Sequence, residues 1–504
     1  MSGKSRTGVN RRTLLKSIAA AGSLAAVNGE ARPGRAENPI VLENRRRGSR
    51  DWMLDKPSID KDSRYRCPWI EGYASRNTVA AGERISFHVS VRPASKFTIE
   101  IFRSGYYGGD GGRKVMELGP FSGKPQPVPA AGPERVRECR WEPCAEITIP
   151  EDWVSGVYLG NLTAVEEGWQ SYLIFIVRDR RRADLLFQCS DLTWQAYNRW
   201  PRQDALYDDG ENEWYCGPNV SVSFDRPYGK YCQILDAPLS TGSGSWLLWE
   251  FPLAYWLESR GYDVSYISNV DTHSDGPGLL RTKGFLSVGH DEYYTIDMFK
   301  NLKAARDAGV NLAFLSGDTC WGRVALRPSG NGVANRVFSR IDAFGPKLPD
   351  GDWAGSDQFP YRTPSESELI GARNVPPVSG GGDWICAAPD HWLYKGTGMR
   401  KGDRVPGLIG WEWMGMPADI PGLQVVATGP TANNNKSPKG RGVYSATIYP
   451  GPKGNFVFNA ATCWWADGMS EPPGYVRPKV YTEPKGPDPR VQRMTANLLD
   501  RFAK

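Results

Sequence analysis

The chain has 504 residues, 40% of them hydrophobic and 12% aromatic, which is enough for two or three domains with complete cores. Its net charge is +6, but residues 1–36 hold seven lysines and arginines against one glutamate, so the rest of the chain is neutral. A neutral body gives no support to a nucleic-acid partner. The nine cysteines include no Cys-x-x-Cys pair, which argues against a zinc ribbon.

The first 36 residues are predicted to be an export signal. Residues 10–16 (NRRTLLK) resemble the twin-arginine motif, and a run of small apolar residues at 17–27 precedes possible cleavage sites at Ala31 and Ala36. The run is too short and too rich in alanine to be a permanent membrane anchor. We therefore expect a periplasmic or secreted protein. The twin-arginine route carries proteins that fold, often around a cofactor, before they cross the membrane.

Residues 37–66 are polar and rich in turns, and are expected to form a surface arm. Residues 67–180 are predicted to be an immunoglobulin-like β-sandwich, because short alternating runs are separated by turns rich in Gly, Pro and Asn. These runs are 85–91, 97–102, 145–149, 157–162 and 171–177. His88 lies inside the first run and is interpreted as structural.

Residues 181–504 are predicted to form an α/β domain, because apolar strand candidates alternate with helical patterns. The strand candidates are 185–189, 264–267, 285–288, 311–315 and 455–459, and the helix candidates are 246–260 and 295–307. This order predicts a largely parallel sheet with helices on both faces. Residues 197–246 and 346–410 are expected to be long loop excursions. The predicted fold class is therefore a multidomain α+β protein.

Polar clusters follow four of the strand candidates. They are 190–198, 290–292, 316–318 and 462–465. Because the carboxyl ends of parallel strands meet at one edge of a sheet, these clusters are expected to converge on a single site.

The most informative of these clusters is His290-Asp291-Glu292, which can supply a metal ligand, a second partner and a proton carrier. The alternative interpretation is a solvated loop in which Asp291 caps the following helix. Tyr197 and Tyr228 lie in loops expected to line the same strand ends. Phenolate and carboxylate together form an anionic oxygen donor set, which suits Fe³⁺ better than zinc or copper(I).

The cysteines allow two short-loop disulfides in an oxidising compartment, Cys139–Cys144 and Cys216–Cys232. Three further cysteines lie in or beside apolar strand patterns and are predicted to be buried thiols: Cys189, Cys320 and Cys463.

Several stretches give the chain a specific resemblance to the large (β) subunit of N,N-dimethylformamidase and its family. They are RSGYYGG at 103–109, TWQAYNRW at 193–200, SFDRPY at 223–228, WLESRGYDVSYISNVD at 256–271, GHDEYY at 289–294, AGVNLAFLSGD at 308–318, DHWLYKGTG at 390–398 and GLIGWEW at 407–413. The resemblance covers roughly residues 70–470. It implies a sandwich followed by an α/β domain similar to class I glutamine amidotransferases.

The family resemblance also implies a mononuclear iron held by two tyrosines and one glutamate. Carried over to this chain, the glutamate is Glu292 and the tyrosines are Tyr197 and Tyr228. Tyr207 is the substitute for either tyrosine.

In the same family pattern His290 and a downstream glutamate, Glu412, form an acid–base pair. Asp318 is expected to orient a water or accept from a substrate N–H. The family often has Ser-Gly-Asn where this chain has Ser316-Gly317-Asp318, which places an additional anion near the proposed site. The chain is also shorter than the founding enzyme of the family.

The resulting hypothesis is an exported iron-dependent hydrolase of an amide in a small-molecule substrate, working as a homo-oligomer or with a small second subunit. One alternative is a non-enzymatic protein that binds glycans or a protein partner through exposed aromatic platforms, since the chain has 19 tryptophans. A second is hydrolysis of an ester or a cell-wall amide on the same scaffold.

Overall fold

A computed structural model describes residues 38–213, 215, 217–231, 236–346, 360–375, 380–433, 441–477 and 486–502, which all lie in one compact unit. The predicted signal therefore lies outside the described residues. The α-helices are α1 Pro39–Asn44, α2 Asp191–Ala196, α3 Trp246–Trp249, α4 Phe251–Ser259, α5 Asn269–Ser274, α6 Ile296–Ala308, α7 Ser367–Ile370 and α8 Pro489–Phe502. Short 3₁₀ helices are Tyr107–Gly109, Pro133–Arg135, Pro238–Ser240, Gly276–Arg281, Trp392–Tyr394 and Ala466–Gly468.

The strands contribute most of the regular structure. They are β1 Ile70–Ala74, β2 Thr78–Ala80, β3 Arg84–Val91, β4 Lys96–Ser104, β5 Gly112–Ser122, β6 Pro143–Thr148, β7 Gly156–Ala164, β8 Gln170–Arg178, β9 Ala183–Cys189, β10 Ser221–Ser223, β11 Val264–Ser268, β12 Thr282–His290, β13 Tyr293–Tyr294, β14 Asn311–Gly317, β15 Gly322–Arg327, β16 Val337–Phe344, β17 Tyr361–Arg362, β18 Ala372–Asn374, β19 Gly380–Ile385, β20 Arg404–Trp411, β21 Met414–Pro417, β22 Gln424–Asn433, β23 Arg441–Pro450 and β24 Phe456–Asn459. The fold is thus of mixed α+β type, with several sheets and few helices.

The first eight strands form two sheets that share one hydrophobic core. Their orders are β1-β3-β6 and β2-β8-β7-β4-β5. Along β3, Ile85, Phe87 and Val89 are buried while the intervening residues are only partly so, which is the alternation expected of a strand with one face on a core. Nδ1 of His88, in β3, lies 2.7 Å from the carbonyl oxygen of Trp141, a structural contact. The predicted strand runs of this region coincide with observed strands.

The segment before β1, which its polarity predicts to be a surface arm, is partly buried. Ile40, Trp52 and Leu54 are buried in the main core, and the Glu43 carboxylate is buried with them. Glu43 accepts hydrogen bonds of 2.7 Å from both Tyr107 and Arg113. A few buried residues therefore hold a segment that is polar on average.

The Arg103–Tyr107 stretch joins the two-sheet region to helix α4. The guanidinium of Arg103 is fully buried and donates two hydrogen bonds, of 2.8 and 3.0 Å, to the carboxylate of Glu258 in α4. It also donates to the hydroxyl of Tyr107 at 3.2 Å. Since a buried charge needs a partner of opposite sign, this pair fixes how the two regions pack.

The main sheet has nine strands in the order β11-β9-β12-β14-β24-β23-β22-β19-β20. The first five strands are mutually parallel, and the remaining four are antiparallel to their neighbours. The sequence predicted the parallel half, whose strands are buried on both faces and read as continuous apolar runs. It did not predict the antiparallel half, because β19 and β20 lie in the stretch expected to be a loop excursion.

Two smaller sheets complete the fold. One has the order β10-β16-β15-β13 with β17 beside β16, and the other pairs β18 with β21. Among the helices of the described residues, none is long and apolar enough to cross a membrane.

The predicted helix at 246–260 is two helices, α3 and α4, separated at Glu250. Pro252 occupies the first turn of α4, where its missing N–H costs nothing, whereas it would break a continuous helix. The predicted helix at 295–307 is α6, which Thr295 caps by accepting from the backbone N–H of Met298. Thr295, and not Asp291, is therefore the capping residue.

The predicted Cys139–Cys144 disulfide is wrong, since both residues are free thiols. Cys139 packs in a cluster with Trp141 and Trp200, whereas Cys144 contacts the carbonyl oxygen of Phe87. The Cys216–Cys232 pair lies outside the described residues. Three other cysteines are free and buried, as predicted: Cys189, Cys320 and Cys463.

Candidate metal centre

The polar clusters converge at the carboxyl end of the parallel strands, where β12 ends in a sharp turn. Gly289 has φ of +77°, and a Cβ there would lie 2.6 Å from the Cβ of Trp249. Only glycine fits both the backbone conformation and the close approach of α3. The turn delivers His290, Asp291 and Glu292 into the protein interior, and all three side chains are buried.

Asp291 holds this turn in place. Its carboxylate accepts hydrogen bonds from Gln188 at 2.6 Å, Ser287 and Tyr294 at 2.7 Å, and Asn269 at 2.9 Å. These four donors occupy its lone pairs, so Asp291 is a fully satisfied structural carboxylate. Burial raises its pKa, and the hydrogen bonds oppose that rise.

Glu292 faces two tyrosines. Its Oε2 accepts a hydrogen bond of 2.7 Å from Tyr197, and its Oε1 accepts one of 2.6 Å from Tyr207. The two phenol rings are stacked with centroids 4.8 Å apart, and their hydroxyl oxygens are 3.0 Å apart. Two phenol oxygens and one carboxylate thus meet at one place, where Glu292 and Tyr207 are buried and Tyr197 is partly buried. The backbone N–H of Glu292 donates to the hydroxyl oxygen of Thr193 at 3.0 Å.

His290 lies between Glu292 and Glu412. Its Nε2 is 3.4 Å from Oε2 of Glu292 and 2.6 Å from Oε2 of Glu412. Neither ring nitrogen of His290 has hydrogen-bond geometry to a partner among the described residues, and the same holds for Oε2 of Glu412. Burial lowers the pKa of His290, but the negative charges of Glu412 and then Glu292 outweigh it and raise that pKa overall.

Asp318 adds a third carboxylate. Ligand atoms of His290, Glu292, Asp318 and Glu412 all lie within 4.8 Å of one another. Burial raises the pKa of Asp318 well above its ordinary value, and the charges of Glu412 and Glu292 raise it further. Burial also raises the pKa of Glu292, against the charge of His290. Three carboxyl groups and one histidine therefore share one small buried space.

Glu412 reaches the site because a glycine lets its backbone approach β14. A Cβ on Gly317 would lie 2.3 Å from the carbonyl oxygen of Glu412. The segment before Glu412 is held by the residues that follow β24, since the backbone N–H of Gly410 donates to Thr462 and that of Cys463 donates to Gly410. The Thr462–Cys463 cluster therefore positions Glu412, and Sγ of Cys463 lies within 4.8 Å of ligand atoms of His290 and Glu412.

Tyr228, one of the two expected tyrosine ligands, lies elsewhere. It lines a small cavity of about 30 Å³ together with Tyr73, Asn77, Asp191 and Arg226. Burial raises the pKa of Tyr228, and the negative charge of Asp191 adds to that rise. The structure thus brings Tyr197 and the substitute Tyr207 to Glu292, and it does not bring Tyr228 there.

The Asp225–Tyr228 stretch contributes Arg226 instead. This fully buried guanidinium donates to the side chain of Gln195 at 2.9 Å and to the carbonyl oxygens of Asn198, Trp200 and Asp204 at 2.8 to 3.1 Å. Burial lowers the pKa of Arg226 to about 10. These acceptors flank Tyr197 and precede Tyr207, so Arg226 fixes the segment that carries both phenols.

Two further residues near Glu292 were not predicted. Tyr293 donates from its hydroxyl to that of Tyr207, and Arg340 lies with Cζ 4.7 Å from the centroid of the Tyr207 ring. Tyr293 could have been suspected, because it belongs to the GHDEYY stretch. Arg340 lies in β16, and the residues next to it in the sequence do not indicate a functional site.

The residues present fit a hard, highly charged metal ion. Burial, followed by the charge of Glu292, raises the pKa of Tyr197 well above its ordinary value, so a cation is needed to hold its phenolate. The donor atoms are anionic or phenolic oxygens, which suit Fe³⁺. The atoms of His290 and Glu412 without hydrogen-bond partners also need a water, an ion or a substrate beside them.

Comparison with known proteins adds one informative match. Residues 98–478 match the family model described as N,N-dimethylformamidase beta subunit-like, C-terminal. No curated protein matches the chain. A solved structure of a Pseudomonas fluorescens alkylpurine DNA glycosylase bound to DNA containing an abasic site analogue is 17% identical, over 22% of this chain and 31% of that chain, with a TM-score of 0.15. A score that low carries no argument about fold or function.

Proposed function

Because the chain belongs to the N,N-dimethylformamidase beta subunit-like, C-terminal family, we propose that it is a metal-dependent hydrolase of an amide C–N bond. This proposal rests on one observation: the hydroxyls of Tyr197 and Tyr207 contact the carboxylate of Glu292 beside the His290–Glu412 pair. A water-excluding site strengthens electrostatic interactions with a polarised carbonyl. The substrate is proposed to be a small-molecule amide.

The proposed metal is a single Fe³⁺ held by Tyr197, Tyr207 and Glu292. Tyr207 replaces Tyr228 in this set, since its hydroxyl contacts Glu292 whereas Tyr228 lines a separate cavity. When bound, the ion would supply Lewis acidity that polarises a carbonyl and lowers the pKa of a water. The protein's part is to hold three oxygens in one place through the contacts that fix Glu292 and the two rings.

His290 and Glu412 move the protons in the proposed reaction. Oε2 of Glu412 accepts a proton from the water that attacks the amide carbon, so a C–O bond forms. Nε2 of His290, 2.6 Å away, carries a proton to the nitrogen as the C–N bond breaks. The products are a carboxylic acid and an amine. Asp318 accepts a hydrogen bond from the water or from a substrate N–H.

Export is a separate part of the proposal. The twin-arginine pattern at 10–16 supports a periplasmic or secreted enzyme, exported already folded. A metal bound before export would fit that route, because the ligands come from distant segments that meet only in the folded chain.

The binding-protein alternative has little support from the tryptophans. Every tryptophan that the structure describes is buried or partly buried, and the seven largest fully buried side chains are all tryptophans. An exposed aromatic platform is what such a protein needs.

The test of the proposed function is the iron content and visible spectrum of the purified protein, followed by a screen of small amides. Tyrosinate bound to Fe³⁺ gives a charge-transfer band that zinc or an empty site cannot give. One iron per chain with that band, and release of an amine from at least one amide, is the expected result. A folded, colourless protein that binds no iron on reconstitution would overturn the proposal.

A further inference from the structure

A third tyrosine, Tyr293, lies against the proposed ligand Tyr207. Tyr293 and Tyr294 are successive residues of β13, so their side chains point to opposite faces. The Tyr294 hydroxyl bonds to Asp291, whereas the Tyr293 hydroxyl bonds to that of Tyr207. The Tyr207 hydroxyl in turn donates to Glu292. Tyr293 is therefore the donor and Tyr207 the acceptor in their hydrogen bond.

Arg340 fixes the direction of that hydrogen bond. Its Nη1 donates to the hydroxyl oxygen of Tyr293 at 3.2 Å. A guanidinium has donors only, so the oxygen of Tyr293 must accept from Arg340. The hydroxyl of Tyr293 donates to that of Tyr207. Arg340 also places its positive charge 4.7 Å from the centroid of the Tyr207 ring.

Gly322 leaves the space in which the ring of Tyr293 lies. Gly322 in β15 pairs with Tyr293 in β13, and a Cβ on Gly322 would be 2.5 Å from Cε1 of the Tyr293 ring. Any other residue at 322 would displace the ring. Both Tyr293 and Arg340 are buried, which holds the donor and the charge close to Tyr207 at a low local dielectric.

We infer that Tyr293 and Arg340 are positioning residues that hold the ring and the hydroxyl oxygen of Tyr207 beside Glu292, where that oxygen would serve as an iron ligand. The inference rests on the proposed function, since it assigns these residues a role toward the iron.

The test measures the visible spectrum and the iron dissociation constant of the full-length protein reconstituted with Fe³⁺. Tyr293→Phe removes the hydroxyl and keeps the ring, and Arg340→Met removes the charge. The matched control is Tyr172→Phe, which also loses a buried hydroxyl, one that is bonded to Trp52 and Leu54. Thermal unfolding of each variant establishes that it is folded.

Both site variants are expected to bind iron roughly 10- to 100-fold more weakly, as is typical when a partner of a metal ligand is lost. Their charge-transfer band should move to longer wavelength, because a phenolate without its donor holds its electrons less tightly. Tyr172→Phe should change neither quantity.

Two outcomes would overturn the inference, and they differ from each other. If the wild type shows the band and both variants keep its position and the affinity, the iron site stands and the positioning role fails. If the wild type binds no iron, the proposed function fails together with the inference. If Tyr293→Phe does not fold, the visible spectrum and iron affinity of Arg340→Met alone test the positioning role.

Discussion

Nε2 of His290 lies 2.6 Å from Oε2 of Glu412, although His290 ends the interior strand β12 and Glu412 follows β20, an edge strand of the main sheet. The two buried groups lie close enough for a proton to pass between them once they align for a hydrogen bond. The pair adjoins Glu292, so the proposed proton chemistry and the proposed metal ligands share one space.

Replacing Glu412 by Gln should remove turnover and leave the metal bound. The amide keeps the shape of the side chain but cannot accept the proton of the attacking water, so kcat should fall by roughly 10²- to 10⁴-fold. The measurement is amine release from an amide found by screening, together with the iron content of the same sample. Normal turnover in this variant would show that Glu412 is not the base.

Tyr207 and Tyr228 can be distinguished by matched phenylalanine variants. Tyr207→Phe removes an oxygen that contacts Glu292, and it should lose both the bound iron and the charge-transfer band. Tyr228→Phe alters only the small cavity beside Asp191 and should keep both. Iron analysis and the visible spectrum of the two proteins provide the answer. The reverse pattern would restore Tyr228 as the ligand.

Arg226→Met should destabilise the fold and weaken iron binding together. The substitution leaves the carbonyl oxygens of Asn198, Trp200 and Asp204 buried without their donor, each at a cost of about 1–3 kcal/mol. We expect a loss of at least about 3 kcal/mol in the free energy of unfolding, measured by urea denaturation.

The control for this prediction is Arg404→Met, which removes an arginine that is largely exposed and pairs with Asp383. Its effect should stay within about 1 kcal/mol, as for other surface pairs. Equal effects of the two substitutions would mean that the buried hydrogen bonds of Arg226 contribute little.

Glu43 should make the stability of the protein depend on acid pH. Burial raises its pKa, but the charge of Arg103 and the hydrogen bonds from Arg113 and Tyr107 outweigh burial, so the folded pKa lies below the ordinary value of 4.5. A lowered folded pKa stabilises the folded state above pH 4.5, and this contribution is lost as the pH falls through the folded pKa.

Glu43→Gln should therefore cost about 3–5 kcal/mol near pH 7, since it leaves the partly buried Arg113 without its carboxylate. The difference from the wild type should shrink steadily below pH 4.5. Urea denaturation of both proteins between pH 7 and pH 3 measures it. A difference that stays constant over this range would mean that Glu43 is not ionised in the folded protein.

Much of the site could be predicted, because a buried strand and the point where it ends can be recognised from the strand's own residues. Strands β9, β12 and β14 are buried on both faces, and they appear in the sequence as continuous apolar runs that end in polar residues. His290, Glu292 and Asp318 could be placed at one edge of the sheet on that basis.

The side chain of Asp291 points away from those of His290 and Glu292, and this direction could also have been predicted from the sequence. Successive residues of an extended chain point to opposite sides, so Asp291 faces away from His290 and Glu292. It binds Gln188 and Asn269 on that side and is neither a ligand nor a helix cap.

The amino-acid pattern alone thus predicts the parallel strands, the polar residues at their ends and the family to which the motifs point. The contact of Tyr207 and not Tyr228 with Glu292, and the place of Arg340 over the Tyr207 ring, become visible in the folded chain. The physical reason is that a strand's burial leaves a periodic pattern in its own residues. A contact between distant segments depends on how whole elements pack, and leaves no such pattern in either segment.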